Sequence, residues 1–200
     1  MGIIAGGDAA LRRSSERRED ELDGIAPELD ALRFGERDAL VGIAAGGTTP
    51  YVLGAIRLAK ARGGLTAFIT CAPSATAEGC DHRLVLDTGP EVLTGSTRLK
   101  AGSATKLALN IITTVAFTRL GKVYGNLMVD VAATNDKLVD RAIRILRAFD
   151  ATLTRERAME LLDGAGGKVK TAMVMSRLGV AKSQAESLLS QHTTLRSLIS

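Results

Sequence analysis

The sequence predicts an α/β protein, a doubly wound parallel sheet followed by a small C-terminal bundle of helices. Three observations carry this. Ala39–Ala45 (ALVGIAA) and Leu65–Thr70 (LTAFIT) are short continuous apolar runs with the length and composition of fully buried strands. The first run stops at Gly46-Gly47-Thr48-Thr49-Pro50 and passes into a helical pattern, the strand–loop–helix order of parallel sheets. Beyond Asp150 the pattern changes to three short helical stretches parted by glycine-rich turns, which divides the chain into 1–150 and 151–200.

The elements follow in order. Gly2–Ala5 reads as a short strand with Gly6-Gly7 as its turn, and Asp8 as the cap of a helix from about Ala9 to Leu22. That helix is crowded with charge, and its plain reading is a solvated face laced with i,i+3 and i,i+4 pairs. Ile25–Arg37 connects, with a short helical turn ended by Gly35. After the Ala39–Ala45 strand, a helix runs from about Tyr51 to Arg62. Leu65–Thr70 and Arg83–Asp87 are further strands, with a loop or short helix at Ser74–Glu78 between them. A long apolar helix follows, its expected buried face formed by Leu107, Ile111, Val115 and Leu120. Lys122–Asn126 is a turn, and Leu127–Val131 is apolar but ambiguous. Thr134 or Asn135 caps a helix with Leu138, Ile145 and Phe149 inward. Arg155–Leu162, Val169–Arg177 and Lys182–Ser190 are the three terminal helices.

Composition narrows the function. Of 200 residues, 46% are hydrophobic and only 3% aromatic, with no Trp, so the core is aliphatic. The net charge of +4 is spread along the chain, without a basic stripe or interleaved aromatics, and no nucleic-acid partner is expected. Cys71 and Cys80 form no CxxC, and His82 and His192 lie far apart, so no metal site is indicated. Two lone thiols fit reduced side chains. No basic leader precedes an apolar run, and no run reaches the length of a membrane span, so a soluble, cytoplasmic protein with no membrane partner is expected.

Thr88–Asn126 is the stretch with the most chemistry. Its first part is a loop of small hydroxyl and glycine residues, Thr94-Gly95-Ser96-Thr97, followed by Arg98, Lys100 and a helix start. Free backbone N–H groups and the helix dipole favour an anion there. Ser96 and Thr97 add hydroxyl donors, and Lys100 adds a point charge. An ordinary N-capped helix with a solvated lysine reads equally well from the residues alone.

Two runs carry a resemblance: Thr94–Asn110 (TGSTRLKAGSATKLALN) and Lys122–Leu138 (KVYGNLMVDVAATNDKL) are similar to signature segments of N-acetylmuramic acid 6-phosphate etherases. Glucokinase regulatory proteins share part of the pattern, and both belong to the sugar-isomerase (SIS) group of phosphosugar-binding domains. The resemblance implies a SIS-type domain over 1–150 and a UBA-like helical tail over 151–200, with a packing or dimer-supporting role. It implies cleavage of the lactyl ether of N-acetylmuramic acid 6-phosphate to N-acetylglucosamine 6-phosphate and D-lactate, without a cofactor, in a homodimer. A non-catalytic phosphosugar-binding regulator is the alternative. Aligning Ile4-Ala5-Gly6-Gly7 with the family's strand-turn puts Glu19 at its catalytic glutamate, with Asp20 beside it. Sugar and phosphate contacts fall to Gly47, Thr48, Thr49, Ser96, Thr97 and Lys100, with Glu91 near a sugar hydroxyl. Where etherases have Ala-Ser-Gly-Arg-Thr-Pro-Tyr, this chain has Ala45-Gly46-Gly47-Thr48-Thr49-Pro50-Tyr51. A serine hydroxyl and an arginine are thereby exchanged for glycine and threonine, and loss of a charge-assisted contact costs about 1.5–3 kcal/mol. The family's first strand, first phosphate loop and a second catalytic glutamate have no counterpart among these residues.

Overall fold

A computed structural model describes residues 1–13, 17–192 and 194–199. The chain forms two compact units, Met1–Leu109 and Asn110–Ser200.

The first unit is built on a parallel sheet of order β1-β2-β3: β1 is Ala39–Ile43, β2 Leu65–Thr70 and β3 His82–Val85. The register pairs Ala39 with Leu65 and Ile43 with Ile69, then Ala67 with His82 and Thr70 with Val85. Between β1 and β2 runs α2 (Pro50–Ala61), preceded in the chain by the short α1 (Ala26–Ala31). Proline suits the first position of α2 because that N–H would lack a helical partner anyway. The helix buries Tyr51, Gly54, Ala55, Ile56 and Ala59. Gly42 lets it lie close on the sheet: a β-carbon there would come within 2.9 Å of both Ile56 and Val52. Phe68 and Ile56 are fully buried between sheet and helix, while Ile25, Leu29, Tyr51 and Ala55 form a second cluster.

The second unit is helical apart from a hairpin of β4 (Val123–Tyr124) and β5 (Leu127–Met128). The helix α3 (Lys100–Arg119) runs through the boundary between the units. Then come α4 (Asp136–Phe149), α5 (Arg155–Gly164), α6 (Val169–Leu178), α7 (Lys182–Gln191) and the short α8 (Arg196–Ile199). Asn135 Oδ1 accepts from Leu138 N and caps α4, the Thr154 hydroxyl accepts from Arg157 N and caps α5, and left-handed Gly179 closes α6. Ile143, Leu146, Leu162, Val169, Met173 and Val174 make its aliphatic core. Tyr124 meets Phe149 edge-on, ring centroids 5.4 Å apart.

Four sequence expectations change. Gly2–Ala5 is not a strand: among the described residues it pairs with no strand of the sheet, and Ala5 already lies in the turn that Gly7 N–H closes onto Ile4 O at 2.9 Å. Ile3 and Ala5 are nonetheless packed on the Ile25 and Tyr51 cluster. The expected helix from Ala9 to Leu22 crosses Ser14, Ser15 and Glu16, which lie outside the described residues. Its flanks are short 3-10 turns, Gly7–Leu11 and Arg18–Asp20, and Arg17 at φ 67° is left-handed, which ends any α-helix there. Lys122–Asn126 is not only a turn, since Val123 and Tyr124 pair in the hairpin. The face of α3 expected to be buried is open: Leu107, Ile111, Val115 and Leu120 are 57, 65, 53 and 63% exposed. Their spacing is helical, but within α3 only Ala101 and Ala108 are buried.

Candidate functional site

The site is built where β1 ends. Gly47 N–H donates to the Ala44 carbonyl at 3.0 Å and closes a tight turn, with Gly47 at φ 82°. No side chain fits at Gly47, because a β-carbon would run into Ala75. The buried Thr70 hydroxyl donates to Ala45 O at 3.3 Å and accepts from Ala72 N at 3.2 Å, tying the loop to the end of β2. Thr49 is the extended cap residue of α2, its carbonyl accepting from Val52 N and Leu53 N while its side chain makes no capping bond. The Thr49 side chain is half-buried, and Thr48 beside it is exposed. The Gly47 amide is committed within the loop.

Glu19 arrives from a different part of the chain. Its 3-10 turn leads into Leu22–Gly24, which lies directly on α2. A β-carbon at Gly54 would collide with the Leu22 carbonyl, and one at Gly24 would sit 2.9 Å from Tyr51. Asp23 pairs with Arg57 at 2.6 Å, and Glu21 with Arg18 at 2.7 Å. The contacts of Leu22 with Gly54 and of Asp23 with Arg57 hold the acidic segment against the middle of α2. Burial, followed by the charges of Glu28 and Glu21, pushes the Tyr51 hydroxyl pKa up.

The second loop is held by its own acid. Both oxygens of Glu91 accept from the start of α3, Lys100 N at 3.0 Å and Ala101 N at 2.9 Å. The Ala101 and then the Lys100 amide hold the Glu91 carboxyl below its usual range. Lys100 Nζ donates to Thr88 O at 2.7 Å. The Ser96 and Thr97 amides are turned into the loop, toward Leu93 O and Gly95 O at 3.0 Å. What Ser96 and Thr97 present outward is therefore hydroxyl rather than backbone.

At the other end of β2, Asp81 accepts from Lys60 Nζ and from the amide and hydroxyl of Thr66. These bonds, Lys60 first, hold its carboxyl at about 2. This lock fixes β2 against β3 away from the site.

A cavity of about 660 Å³ opens beside β1. Of the residues expected to act, Glu19, Thr49 and Thr97 line it, together with Gly46 and Tyr51. Gly47, Thr48, Glu91, Ser96 and Lys100 are not among its lining. The lining residues include the acids Glu19 and Asp38 and the hydroxyl-bearing Thr49, Thr97 and Tyr51, and they run along β1 to its carboxyl end, the usual place for a ligand in such sheets. Sequence reasoning missed Tyr51, Gly54 and Thr70. Gly54, a glycine inside a helical pattern, and Tyr51, at the end of the matched Thr-Pro-Tyr run, left a signal, and Thr70 left none. Among the described residues, no group of three or more metal-ligating side chains gathers and no helix is long and apolar enough to cross a membrane.

Residues 1–60 match the Glucokinase regulatory protein N-terminal SIS domain. Curated relatives named N-acetylmuramic acid 6-phosphate etherase align far beyond that. A protein of Synechococcus sp. (strain CC9605) is 53% identical over 193 residues, 96% of this chain and 61% of the relative. One from Synechocystis sp. is 54% identical over 96% of this chain and 63% of its own length. One from Prochlorococcus marinus (strain MIT 9303) is 51% identical over all of this chain and 63% of the relative. The chain thus spans about three fifths of the length of the curated relatives it matches.

Proposed function

As a relative of the N-acetylmuramic acid 6-phosphate etherases over the region it spans, this chain, we propose, acts in cleaving the lactyl ether of N-acetylmuramic acid 6-phosphate. The products are N-acetylglucosamine 6-phosphate and D-lactate, as in the recycling of cell-wall amino sugars. The observation that carries this reading is the convergence of Glu19, Thr49 and Thr97 on one cavity beside β1. In the open-chain sugar, Glu19 takes the proton from the carbon next to the aldehyde. The lactyl C–O bond then breaks, the departing oxygen gains a proton, and water adds to the resulting double bond. A carboxylate that shares its cavity with hydroxyl-bearing residues meets the needs of such an elimination.

The hydroxyls of Thr48, Thr49, Ser96 and Thr97 are assigned to sugar and phosphate, with the turn at Gly47 setting their approach. Lys100 supplies positive charge nearby, and Glu91 shapes the loop by holding the start of α3. The functional division is a SIS-type domain over 1–150 with a UBA-like helical tail over 151–200, in a cytoplasmic homodimer. Relatives covering nearly the whole chain carry the etherase name, which favours this reading over a non-catalytic regulator.

The test is D-lactate release from N-acetylmuramic acid 6-phosphate. Glu19→Gln should abolish release while leaving the ligand-induced thermal shift nearly intact. Normal release by that variant overturns the assignment of Glu19, and a thermal shift in the native chain without any lactate overturns the etherase reading for this chain alone.

A further inference from the structure

The loop that follows β2 closes one side of the turn at Gly47. A β-carbon at Gly47 would run into Ala75, so the two backbones meet there with no room between them. At Gly46 a β-carbon would meet nothing within 4 Å. The glycine pair is therefore confined on one side only, by Ala75 and by Thr70. The near end of the second loop is tied through the main chain, Cys71 N donating to Ala45 O at 3.0 Å. Its far part, Pro73–Ala75, is held differently. Arg83 Nη1 donates to Ala75 O at 2.9 Å, and Nη2 donates to Pro73 O at 3.1 Å.

The register of the sheet explains how Arg83 reaches them. Arg83 pairs with Phe68, and residues paired across parallel strands share a face. The guanidinium thus lies on the side of the sheet where Phe68, Ala44 and Ile56 cluster, and Ala75 is packed against that same cluster. Among the described residues, both bonds of the guanidinium go to this loop and none to a carboxylate. A planar fork of N–H groups takes two acceptors at once, which a lysine cannot do with the same geometry.

We propose that Arg83 is a positioning residue for the phosphate of the sugar. By holding the Pro73 and Ala75 carbonyls it keeps Ala75 against Gly47, and so sets the turn from which Thr48 and Thr49 reach the ligand. Arg83 acts through the loop alone, since it is not among the lining of the cavity. The inference rests on the assignment of the Gly46–Thr49 loop to the sugar phosphate, and it adds to that site a residue from β3.

The 200-residue chain is compared with Arg83→Met, which keeps an aliphatic stem and removes the fork. In amide hydrogen exchange the Gly47 amide, bonded to Ala44 O, should exchange about tenfold faster while the amides of β2 keep their protection. The dissociation constant for N-acetylglucosamine 6-phosphate, read by calorimetry, should rise about tenfold. Arg83 is exposed, so the melting temperature should stay within about 2 °C. Arg83→Lys restores the charge but not the fork and should recover only part of the affinity. Native affinity in Arg83→Met, or weaker affinity without faster exchange at Gly47, overturns the proposal alone. Full recovery by Arg83→Lys overturns it in favour of a charge acting at a distance. Loss of affinity together with β2 protection and melting temperature overturns it in favour of a merely structural role. A native chain without affinity for the sugar phosphate overturns the reading on which the proposal rests, and the proposal with it.

Discussion

At the scale of single residues, glycines determine how the site is held, and one aspartate locks the sheet at its far end. Gly47→Ala places a side chain at φ 82° and against Ala75. A loss of about 1–3 kcal/mol is expected, readable in thermal denaturation. Gly54→Ala drives the Leu22 carbonyl off α2 and shifts Glu19 with it. Lactate release should fall more steeply than stability, and equal losses in both would show that the contact does not position Glu19. Asp81 gives a pH prediction. Its carboxyl is held at about 2 against an ordinary 3.8, so its contribution is present above pH 3.8 and fades as pH falls towards 2. Asp81→Asn should flatten that part of the acid-unfolding profile. The turn at Gly47 was legible in Gly46-Gly47-Thr48-Thr49, since small residues before a helix announce such loops. The grip of Glu91 on Lys100 and Ala101 was not, because nothing local says that a carboxylate nine residues back reaches those amides.

Whole elements were legible where their cause is local. β2 begins and ends where its apolar run does, and the terminal helices stand close to their predicted spans, because caps and glycine turns are written beside them. Residues 2–5 failed as a strand because a strand needs a neighbour, and sequence pattern reports only the willingness to pair. The same holds for α3, whose periodicity set the helix but not what lies against it. Replacing exposed side chains there should barely move folding: Ile111→Gln with Val115→Thr is expected to change the stability of this chain by less than about 0.5 kcal/mol. If the proposed homodimer uses this face, the same pair should weaken self-association in sedimentation, and unchanged association would remove α3 from the interface. By contrast, Leu146→Ala, fully buried in the helical unit, should cost about 2–5 kcal/mol in denaturant unfolding.

On the scale of the whole molecule, the chain forms two compact units, and the family resemblance reached further than the physics of composition. It singled out the loops at 46–49 and 94–97 and the acidic segment at Glu19, of which Glu19, Thr49 and Thr97 share a cavity. The two units also differ in a way that optics can use. The chain has no Trp and only two tyrosines. One, Tyr51, is buried beside the sheet; the other, Tyr124, is stacked edge-on to Phe149 in the helical unit. Each unit therefore carries a single tyrosine of its own, with no indole to drain its emission. Tyr51→Phe leaves a spectrum that speaks for the helical unit alone, and Tyr124→Phe one that speaks for the sheet. The order in which the two halves melt can then be followed by fluorescence without any attached dye.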